Sequence, residues 1–168
     1  MKLMRKKLIG RKGGFTLIEL LMVVAIIGIL SAIALPVMAN VQARARLGRA
    51  QADVRTIASA IMAYQAHCGV LPPAGASQNA CGTMVGAGAL TDAPLSLTAA
   101  QLNAQGQTAG PFLAANPTVP QGWTGGPTPT RYGYIVQAGG TYVVCAVSAA
   151  DGTGANTDGS LTCAGAAP

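Results

Sequence analysis

The sequence predicts an α+β protein in which one long N-terminal helix packs on a small antiparallel β-sheet head. Three observations predict this class. An apolar run of about 20 residues begins at Phe15. The residues that follow it place apolar side chains three and four apart, as one face of a helix does. Segments rich in aromatic and β-branched residues come late, after residue 130. A helix followed by strands is typical of an α+β domain.

A basic leader precedes the apolar run. Six of the chain's eleven basic residues lie before Gly14. Positive charges ahead of an apolar segment hold that end in the cytoplasm, so residues 1–14 are interpreted as a leader that is removed and does not contribute to the fold. Without them the chain has five arginines and five acidic side chains. The side-chain charge is then near zero, which does not favour a nucleic-acid partner.

The apolar run is long enough to cross a membrane. About 20 residues of helix span a hydrocarbon core of about 30 Å. Residues 15–36 contain a single charge, Glu19, and a carboxylate in lipid costs about 2.5–3.5 kcal/mol, so Glu19 is a candidate functional residue. The competing interpretation is an ordinary secretory signal cleaved near residues 37–39. Such signals usually have shorter apolar regions of about 7–15 residues, and this one leaves Glu19 unexplained.

The motif at the start of the run is Gly-Phe-Thr-Leu-Ile-Glu, residues 14–19. After a short basic leader, it resembles the N-terminus of type IV pilins and of the related pseudopilins of type II secretion. The resemblance implies a pilin-like fold, cleavage by a prepilin peptidase between Gly14 and Phe15, and N-methylation of Phe15. It also implies that Glu19 pairs with the terminal amine of a neighbouring subunit in a filament.

Electrostatics favours the same role for Glu19. Cleavage leaves a cation at Phe15, and a buried charge is strongly penalised unless an opposite charge accompanies it. Subunits in register would satisfy both groups. The alternative is that Glu19 pairs within its own chain or reaches the headgroups.

One continuous helix is predicted over residues 15–66, with 15–36 as its membrane-spanning and filament-core part. Pro36 predicts a kink or local melting, because proline removes a backbone hydrogen bond. Gly28 is a second weak point, since glycine lowers helix propensity by about 1 kcal/mol. The resemblance implies that 28–36 unwinds in assembled filaments. A gently curved, continuous helix is the alternative for the isolated subunit.

The helix is predicted to become amphipathic after Pro36. The apolar side chains on one face form a stripe that should bury against a head, residues 67–168. Arg46 and Arg49 lie off this stripe. The arginines are interpreted as a solvated face or as contacts between subunits, and Arg49 should pair with Asp53 four residues on. The stripe has 3-4-3-4-3 spacing and consists of Leu47, Ala50, Val54, Ile57, Ile61 and Tyr64.

The helix is predicted to stop near Gly69, with prolines beyond it. His67 is the single histidine and is interpreted as a helix-end residue without a catalytic role. Residues 70–130 have the composition of loops, with one short helix predicted at 97–104, capped by Ser96 or Thr98. Anchors for this long loop are Phe112, Leu113 and Trp123.

A β-hairpin is predicted near the C-terminus. Residues 131–136 and 141–147 read as strands, and the Gln-Ala-Gly-Gly segment 137–140 reads as the turn between them. One face of this hairpin should cover the helix stripe. A third strand is predicted at residues 160–163.

The four cysteines predict two disulfides, because their number is even and the head is expected to leave the cytoplasm. Three pairings exist. Local pairing, Cys68–Cys81 with Cys145–Cys163, is favoured, and its second bond would close the C-terminal loop as a disulfide does in many type IV pilins. Its main competitor joins Cys68 to Cys145. A zinc site is disfavoured by the absence of CxxC spacing and of accompanying histidines.

The C-terminal loop, residues 148–160, resembles the acidic, glycine-rich loop that binds calcium in major pseudopilins. Asp151, Asn156 and Asp158 are the candidate oxygen ligands. The favoured interpretation is simpler, because aspartates before glycine commonly form turns and two carboxylates are few for calcium. We therefore expect no cofactor and no metal.

The predicted function is that of a structural subunit of a type IV pilus-like filament. The alternatives are a major-type pseudopilin of type II secretion, an adhesive or DNA-uptake minor subunit, and a membrane-anchored enzyme. Enzymatic activity is not expected, because one histidine and few acids do not build a hydrolytic site. Expected partners are other copies of the chain, a prepilin peptidase, an inner-membrane assembly platform with its ATPase, and membrane lipid. The monomer should cross the inner membrane once with its head outside the cytoplasm, and the filament should be extracellular or periplasmic.

Overall fold

A computed structural model of the protein describes residues 14–73, 79–82, 89–137, 139–158 and 163. The chain divides into an N-terminal unit, residues 1–42, and a C-terminal unit, residues 43–168. One long helix and an antiparallel β-sheet form an α+β fold, so the predicted fold class is confirmed.

Helix α1 comprises Leu17–Cys68, fifty-two residues, against the predicted 15–66. Pro36 lies inside it without ending it. The helix stops at Gly69, whose backbone has a φ of 71°, the left-handed conformation that glycine adopts without strain. The Gly69 N–H donates to the carbonyl of Gln65 at 2.8 Å, closing the last turn.

Seven short strands lie among the described residues of the C-terminal unit. The main sheet has the order β1-β5-β6-β4, with β7 also pairing with β6, and every pairing is antiparallel. β2 and β3 form a separate two-stranded pair. The strands are β1 Leu90–Asp92, β2 Gln101–Leu102, β3 Thr108–Ala109, β4 Trp123–Thr124, β5 Gly133–Val136, β6 Tyr142–Ser148 and β7 Gly154–Asn156.

The predicted C-terminal hairpin is confirmed as β5 and β6. Its register pairs Gly133 with Cys145 and Val136 with Tyr142. The strand that follows the hairpin is β7, which lies within residues 148–160, the segment predicted as a loop. Ala155 is buried there, which a glycine-rich turn pattern does not reveal. Of the strand predicted at 160–163, residues 160–162 lie outside the described residues, and Cys163 is not in a strand.

The prediction of a short helix at 97–104 is wrong. A single 3-10 turn occupies Leu95–Thr98, and β2 follows at residue 101. Tertiary contacts override helix propensity here. The buried side chain of Gln101 donates to the carbonyls of Ser96 at 2.8 Å and Ala99 at 3.2 Å. The carbonyl of Leu97 accepts from two later backbone N–H groups instead of continuing a helix.

The core lies between the second half of α1 and the inner face of the sheet. The predicted stripe is buried, with Leu47 half-buried at its edge. Strand β6 is buried on both faces. Val144 and Ala146 face the helix, while Val143 and Cys145 pack beneath Cys163 on the other side. The three predicted loop anchors also contact the core, since Leu113 and Trp123 are buried and Phe112 packs edge-on against Tyr64.

Two glycines allow a close backbone approach beside β5. A Cβ at Gly125 would lie 2.6 Å from the carbonyl oxygen of Arg131, and a Cβ at Gly133 would lie 2.7 Å from the carbonyl oxygen of Gly125. Real Cβ atoms do not approach backbone so closely. This part of the sheet therefore requires glycine at both positions.

Candidate functional site: the N-terminal segment and the surface of the long helix

The predicted cleavage point is fully accessible. Gly14 and Phe15 precede the helix in non-helical backbone, and Phe15 is 83% exposed. Among the residues from 14 onward that the structure describes, none beyond the immediate neighbour has an atom within 4 Å of the position of a Cβ at Gly14. A protease therefore meets no steric obstacle from the described part of the chain at this bond.

Thr16 and Glu19 form an N-terminal cap on α1. The backbone N–H of Glu19 donates to the hydroxyl oxygen of Thr16 at 3.3 Å, as an N-cap residue requires. The Thr16 hydroxyl in turn donates to the Glu19 carboxylate at 3.4 Å. This role of Thr16 was not predicted, although Thr-x-x-Glu before an apolar run is the signature of a capping box.

Glu19 is held only weakly within its own chain. Its contact with the Thr16 hydroxyl is long, since strong hydrogen bonds from a hydroxyl to a carboxylate measure about 2.5–2.7 Å. The positive end of the helix dipole favours an acid in this first turn. Because the carboxylate is exposed, it is accessible to a cation on another chain.

The first half of α1 is apolar on every side and entirely exposed. Its most apolar 18-residue window has a mean hydropathy of 2.8, with none of the window buried. By length and composition this helix can cross a membrane. An apolar surface of this extent requires lipid or other helices to cover it. The large exposed side chains are Phe15, Leu17, Ile18, Leu20, Leu21, Met22, Val23, Val24, Ile26, Ile27, Ile29, Leu30, Ile33, Leu35, Val37, Met38 and Val41.

Gly28 and Pro36 both lie within continuous α-helix. Apart from the helix's own nearby backbone, no atom of the residues that the structure describes lies within 4 Å of a Cβ position at Gly28, so packing there does not require glycine. The structure of the chain by itself corresponds to the continuous-helix alternative. Unwinding of 28–36 in a filament stays a prediction.

Both disulfides are the local pairs. Cys68 bonds Cys81 across 13 residues, and Cys145 bonds Cys163 across 18 residues. The first ties the end of α1 to the following loop. The second holds Cys163 against the outer face of β6, where both cysteines are buried. Each closed loop constrains the unfolded chain by about 3 kcal/mol in the chain-entropy model.

The calcium candidates are not arranged as a metal site. Among the residues that the structure describes, no group of three potential ligands comes together. Asp151 accepts the backbone N–H of Thr153 at 3.1 Å in a tight turn. Hydrogen bonding from the Ser148 side chain, followed by that from Thr153, lowers the pKa of Asp151 below its ordinary value. Asn156 lies on β7, and Asp158 lies beside a groove on the helix.

His67 is part of the packing at the end of α1. Its Nε2 lies 3.1 Å from the carbonyl oxygen of Gln101, and its ring packs against Phe112 with centroids 6.2 Å apart. No nucleophile or carboxylate contacts it in the hydrogen bonds found for the described residues. This geometry is that of a helix-end anchor.

All four tyrosines fasten the head to α1 or to the loop after it, a role that sequence reasoning missed. The hydroxyl of Tyr132 donates to Asp53 at 2.9 Å, and that of Tyr142 donates to the Ala58 carbonyl at 3.0 Å. Tyr134 donates to the Pro72 carbonyl, and Tyr64 accepts the N–H of Gly82. A buried tyrosine usually finds such a partner, which the sequence cannot identify.

The exposed side of α1 in the C-terminal unit is basic. Arg44, Arg46, Arg49 and Arg55 are all exposed. The predicted pairing of Arg49 with Asp53 is present at 3.7 Å. Arg55 borders a groove of about 660 Å³ between the helix and the β6–β7 region, lined by Arg55, Ala58, Met62, Tyr142, Asn156, Thr157 and Asp158.

Comparison with protein families identifies the N-terminal segment. Residues 9–35 match the model described as the prokaryotic N-terminal methylation motif. The match covers the predicted cleavage point, Glu19 and nearly all of the apolar run at residues 15–36. No solved structure matches the chain.

Comparison with curated proteins finds pilins and fimbrial proteins. The chain is 43% identical over 60 residues to the fimbrial protein EcpB of Eikenella corrodens, covering 36% of this chain and 38% of the relative. It is 50% identical over 50 residues to the type IV major pilin PilA of Myxococcus xanthus, covering 30% and 23%. It is 52% identical over 48 residues to the type IV major fimbrial protein FimA of Dichelobacter nodosus, covering 29% and 31%. The chain thus spans less than two fifths of the length of each of these relatives.

Proposed function

We propose that this chain, whose N-terminal segment is that of the type IV pilin superfamily, is a structural subunit of a type IV pilus filament. The observation that carries the proposal is the combination at the start of α1. A methylation motif with an accessible Gly14–Phe15 bond leads directly into a helix whose apolar surface is wholly exposed. Such a surface is stable in lipid or against other copies of the same helix.

Maturation would create the charge that assembly uses. A prepilin peptidase would cut after Gly14, remove the basic leader and methylate the new amine of Phe15. That amine is a cation beside an apolar helix, and Glu19 is the one acid of the apolar run. In the filament each amine would pair with the Glu19 carboxylate of a neighbouring copy, because neither charge is tolerated alone in an apolar core.

The monomer would be stored in the inner membrane with the helix as its anchor and the head outside the cytoplasm. The leader's positive charges support that orientation. An assembly platform and its ATPase would then extract the helix from lipid into a filament core. Burial of the apolar side chains against other helices replaces their contact with lipid, while the disulfide-bonded heads face outward.

The pilus is favoured over a type II secretion pseudopilus. The matched relatives are named as pilins or fimbrial proteins. The acidic C-terminal loop that resembled a pseudopilin calcium site uses Asp151 in a turn of its own. We propose no cofactor and no enzymatic activity for the chain.

Mass spectrometry of the mature N-terminus tests this function. Protein isolated from filaments should begin at Phe15 and carry one additional methyl group on its amine. Material from cells without the prepilin peptidase should retain residues 1–14. A mature chain beginning near residue 40 would indicate a secretory signal and would overturn the filament proposal, because the apolar helix would then be lost.

A further inference from the structure

We propose that Arg44, Arg46 and Arg49 form an arginine collar that binds the phosphate groups of anionic phospholipids around the helix. The proposal rests on the proposed function, since it requires the apolar half of α1 to lie in a membrane. The proposal adds a specific lipid partner for the stored monomer, which the collar would bind at the membrane surface on the side of the head.

The position of the collar along the helix supports this partner. Val41 is the last exposed large apolar residue of the N-terminal run, and Arg44 follows it by three residues on the same helix. The collar rises about 7.5 Å from Arg44 to Arg49 at about 1.5 Å per residue. Exposed apolar side chains continue past residue 36 to Val41. A hydrocarbon core that ends at Val41 places Arg44 about 4.5 Å and Arg46 about 7.5 Å beyond it, within a headgroup region of about 5–7.5 Å. Arg49 lies about 12 Å beyond it, and its long side chain can reach back toward the headgroups.

The collar surrounds the helix. At about 100° per residue the three side chains leave the axis at about 0°, 200° and 140°. All three are exposed, Leu47 between them is half-buried against the core of the head, and the fully buried part of the stripe begins at Ala50. A bilayer meets a spanning helix from every side, so cations around its circumference fit a lipid surface. A nucleic acid approaches from one side and favours a one-sided patch instead.

The charge of the collar is available to an anion. Arg44 and Arg46 have no ion-pair partner among the residues that the structure describes, and the guanidinium of Arg46 lies beside Gly122. The pair between Arg49 and Asp53 is long, and the Arg49 side chain is 61% exposed. Guanidinium groups bind phosphate through paired hydrogen bonds, which favours a phospholipid headgroup as the ligand.

Two acids of the head, Asp92 and Asp151, are already engaged and are poor partners for the collar of another copy. Asp92 already accepts the backbone N–H and the hydroxyl of Thr128. Asp151 accepts the N–H of Thr153 in its own turn. Lipid phosphate is the anion that the membrane supplies in excess beside residue 44, and each arginine near an anionic surface favours it by about fivefold.

Electron spin resonance with spin-labelled lipids tests the proposal. The full chain would be reconstituted in phosphatidylcholine vesicles containing a trace of spin-labelled phosphatidylglycerol or spin-labelled phosphatidylcholine. Contact with the protein restricts the motion of a spin-labelled lipid. The fraction of each label whose motion is restricted measures the relative affinity of the protein for the two lipids. We expect the Arg44→Gln, Arg46→Gln double variant to reduce the preference for phosphatidylglycerol about threefold or more. The leader is the same in every variant, so its cations do not contribute to this difference.

Two matched variants separate position from charge. The Arg55→Gln, Arg131→Gln double variant loses the same charge outside the collar and should keep the preference. The Arg44→Lys, Arg46→Lys variant keeps the charge and should retain most of the preference for phosphatidylglycerol. Raising the salt from about 0.05 M to about 0.5 M should reduce the preference of the unaltered chain more than that of the Gln variant.

The outcomes distinguish failure of the proposal from failure of the function. An equal preference for phosphatidylglycerol in the unaltered chain and in the Arg44→Gln, Arg46→Gln variant would overturn the collar alone. An equal loss in the Arg55→Gln, Arg131→Gln variant would do the same, because net charge would then explain the effect. If the protein restricts neither label, α1 does not contact lipid and the membrane anchor itself is overturned.

Discussion

The phenolic hydroxyl of Tyr132 donates a hydrogen bond of 2.9 Å to Oδ2 of Asp53, across 79 residues of sequence. The same oxygen atom lies 3.7 Å from Nε of Arg49. Tyr132 is buried and leads into strand β5, whereas Asp53 lies on α1. The bond therefore connects the sheet to the helix that carries the proposed filament core.

Tyr132→Phe should destabilise the head by about 1.5–3 kcal/mol, the usual contribution of a hydrogen bond to a charged group. Tyr142→Phe is the matched control, because it removes a bond to the Ala58 carbonyl and should cost only about 0.5–1.5 kcal/mol. Trp123 is the single tryptophan and is buried, so its fluorescence during denaturant unfolding measures both variants. Equal losses of unfolding free energy in the two variants would show that the charge of Asp53 adds nothing to the strength of its hydrogen bond with Tyr132.

The head should lose stability at alkaline pH. Burial, followed by the hydrogen bond to Asp53, raises the pKa of Tyr132, and burial also raises the pKa of Tyr64, Tyr134 and Tyr142. Above about pH 10 the unfolded tyrosines lose protons that the folded ones keep. The unfolded state then binds fewer protons, so the free energy of unfolding falls as pH rises further. Tyr132→Phe should make this fall less steep, and an unchanged slope would contradict the assignment.

Glu19→Ala should leave cleavage and methylation intact but lower the yield of filaments more than about tenfold, because an unpaired buried cation costs about 3–5 kcal/mol. Glu19→Gln keeps the size of the side chain and should lower the yield similarly if charge is the cause. Ser31→Ala, in the same exposed helix, is the silent control. Sheared filament protein measures the yield, and a normal yield for Glu19→Gln would contradict the pairing.

Gly14→Val should block maturation. The peptidase must accept the residue before the cut, and a branched side chain adds bulk at a bond where the chain now offers open space. Gly13→Val is the matched control and should be cut, because it leaves the residue at the bond unchanged. Gel mobility and the N-terminal mass distinguish precursor from product. Efficient cutting of Gly14→Val would remove the assignment of this bond.

A calcium chelator should not lower the melting temperature of the head, because Asp151 is engaged in its own turn. Added calcium should not raise it either. Asp151→Asn serves as the internal comparison, since it should cost the same small stability with or without the ion. A chelator-dependent drop of several degrees, as ligand linkage produces, would indicate a calcium site near Asp158.

The helix stripe and the β5–β6 hairpin were predictable because each follows from a local period. Apolar spacing of three and four placed Ile57 and Ile61 in the core, and aromatic and β-branched residues marked the strands. The 3-10 turn at Leu95–Thr98 was not predictable, because the buried Gln101 replaces the helical hydrogen bonds with its own. Strand β7 escaped prediction for a similar reason, since its pairing with β6 overrides a turn-like sequence.

The N-terminal motif, the apolar helix and the acid within it can be identified without a structure, because these depend on local composition and on the order of residues along one helix. The pairing of the cysteines and the attachment of the head through four tyrosine hydroxyls followed only from the folded chain. Those features depend on distances between residues far apart in the chain. Such distances are set by packing of the sheet on α1, and no periodic pattern in the sequence encodes them.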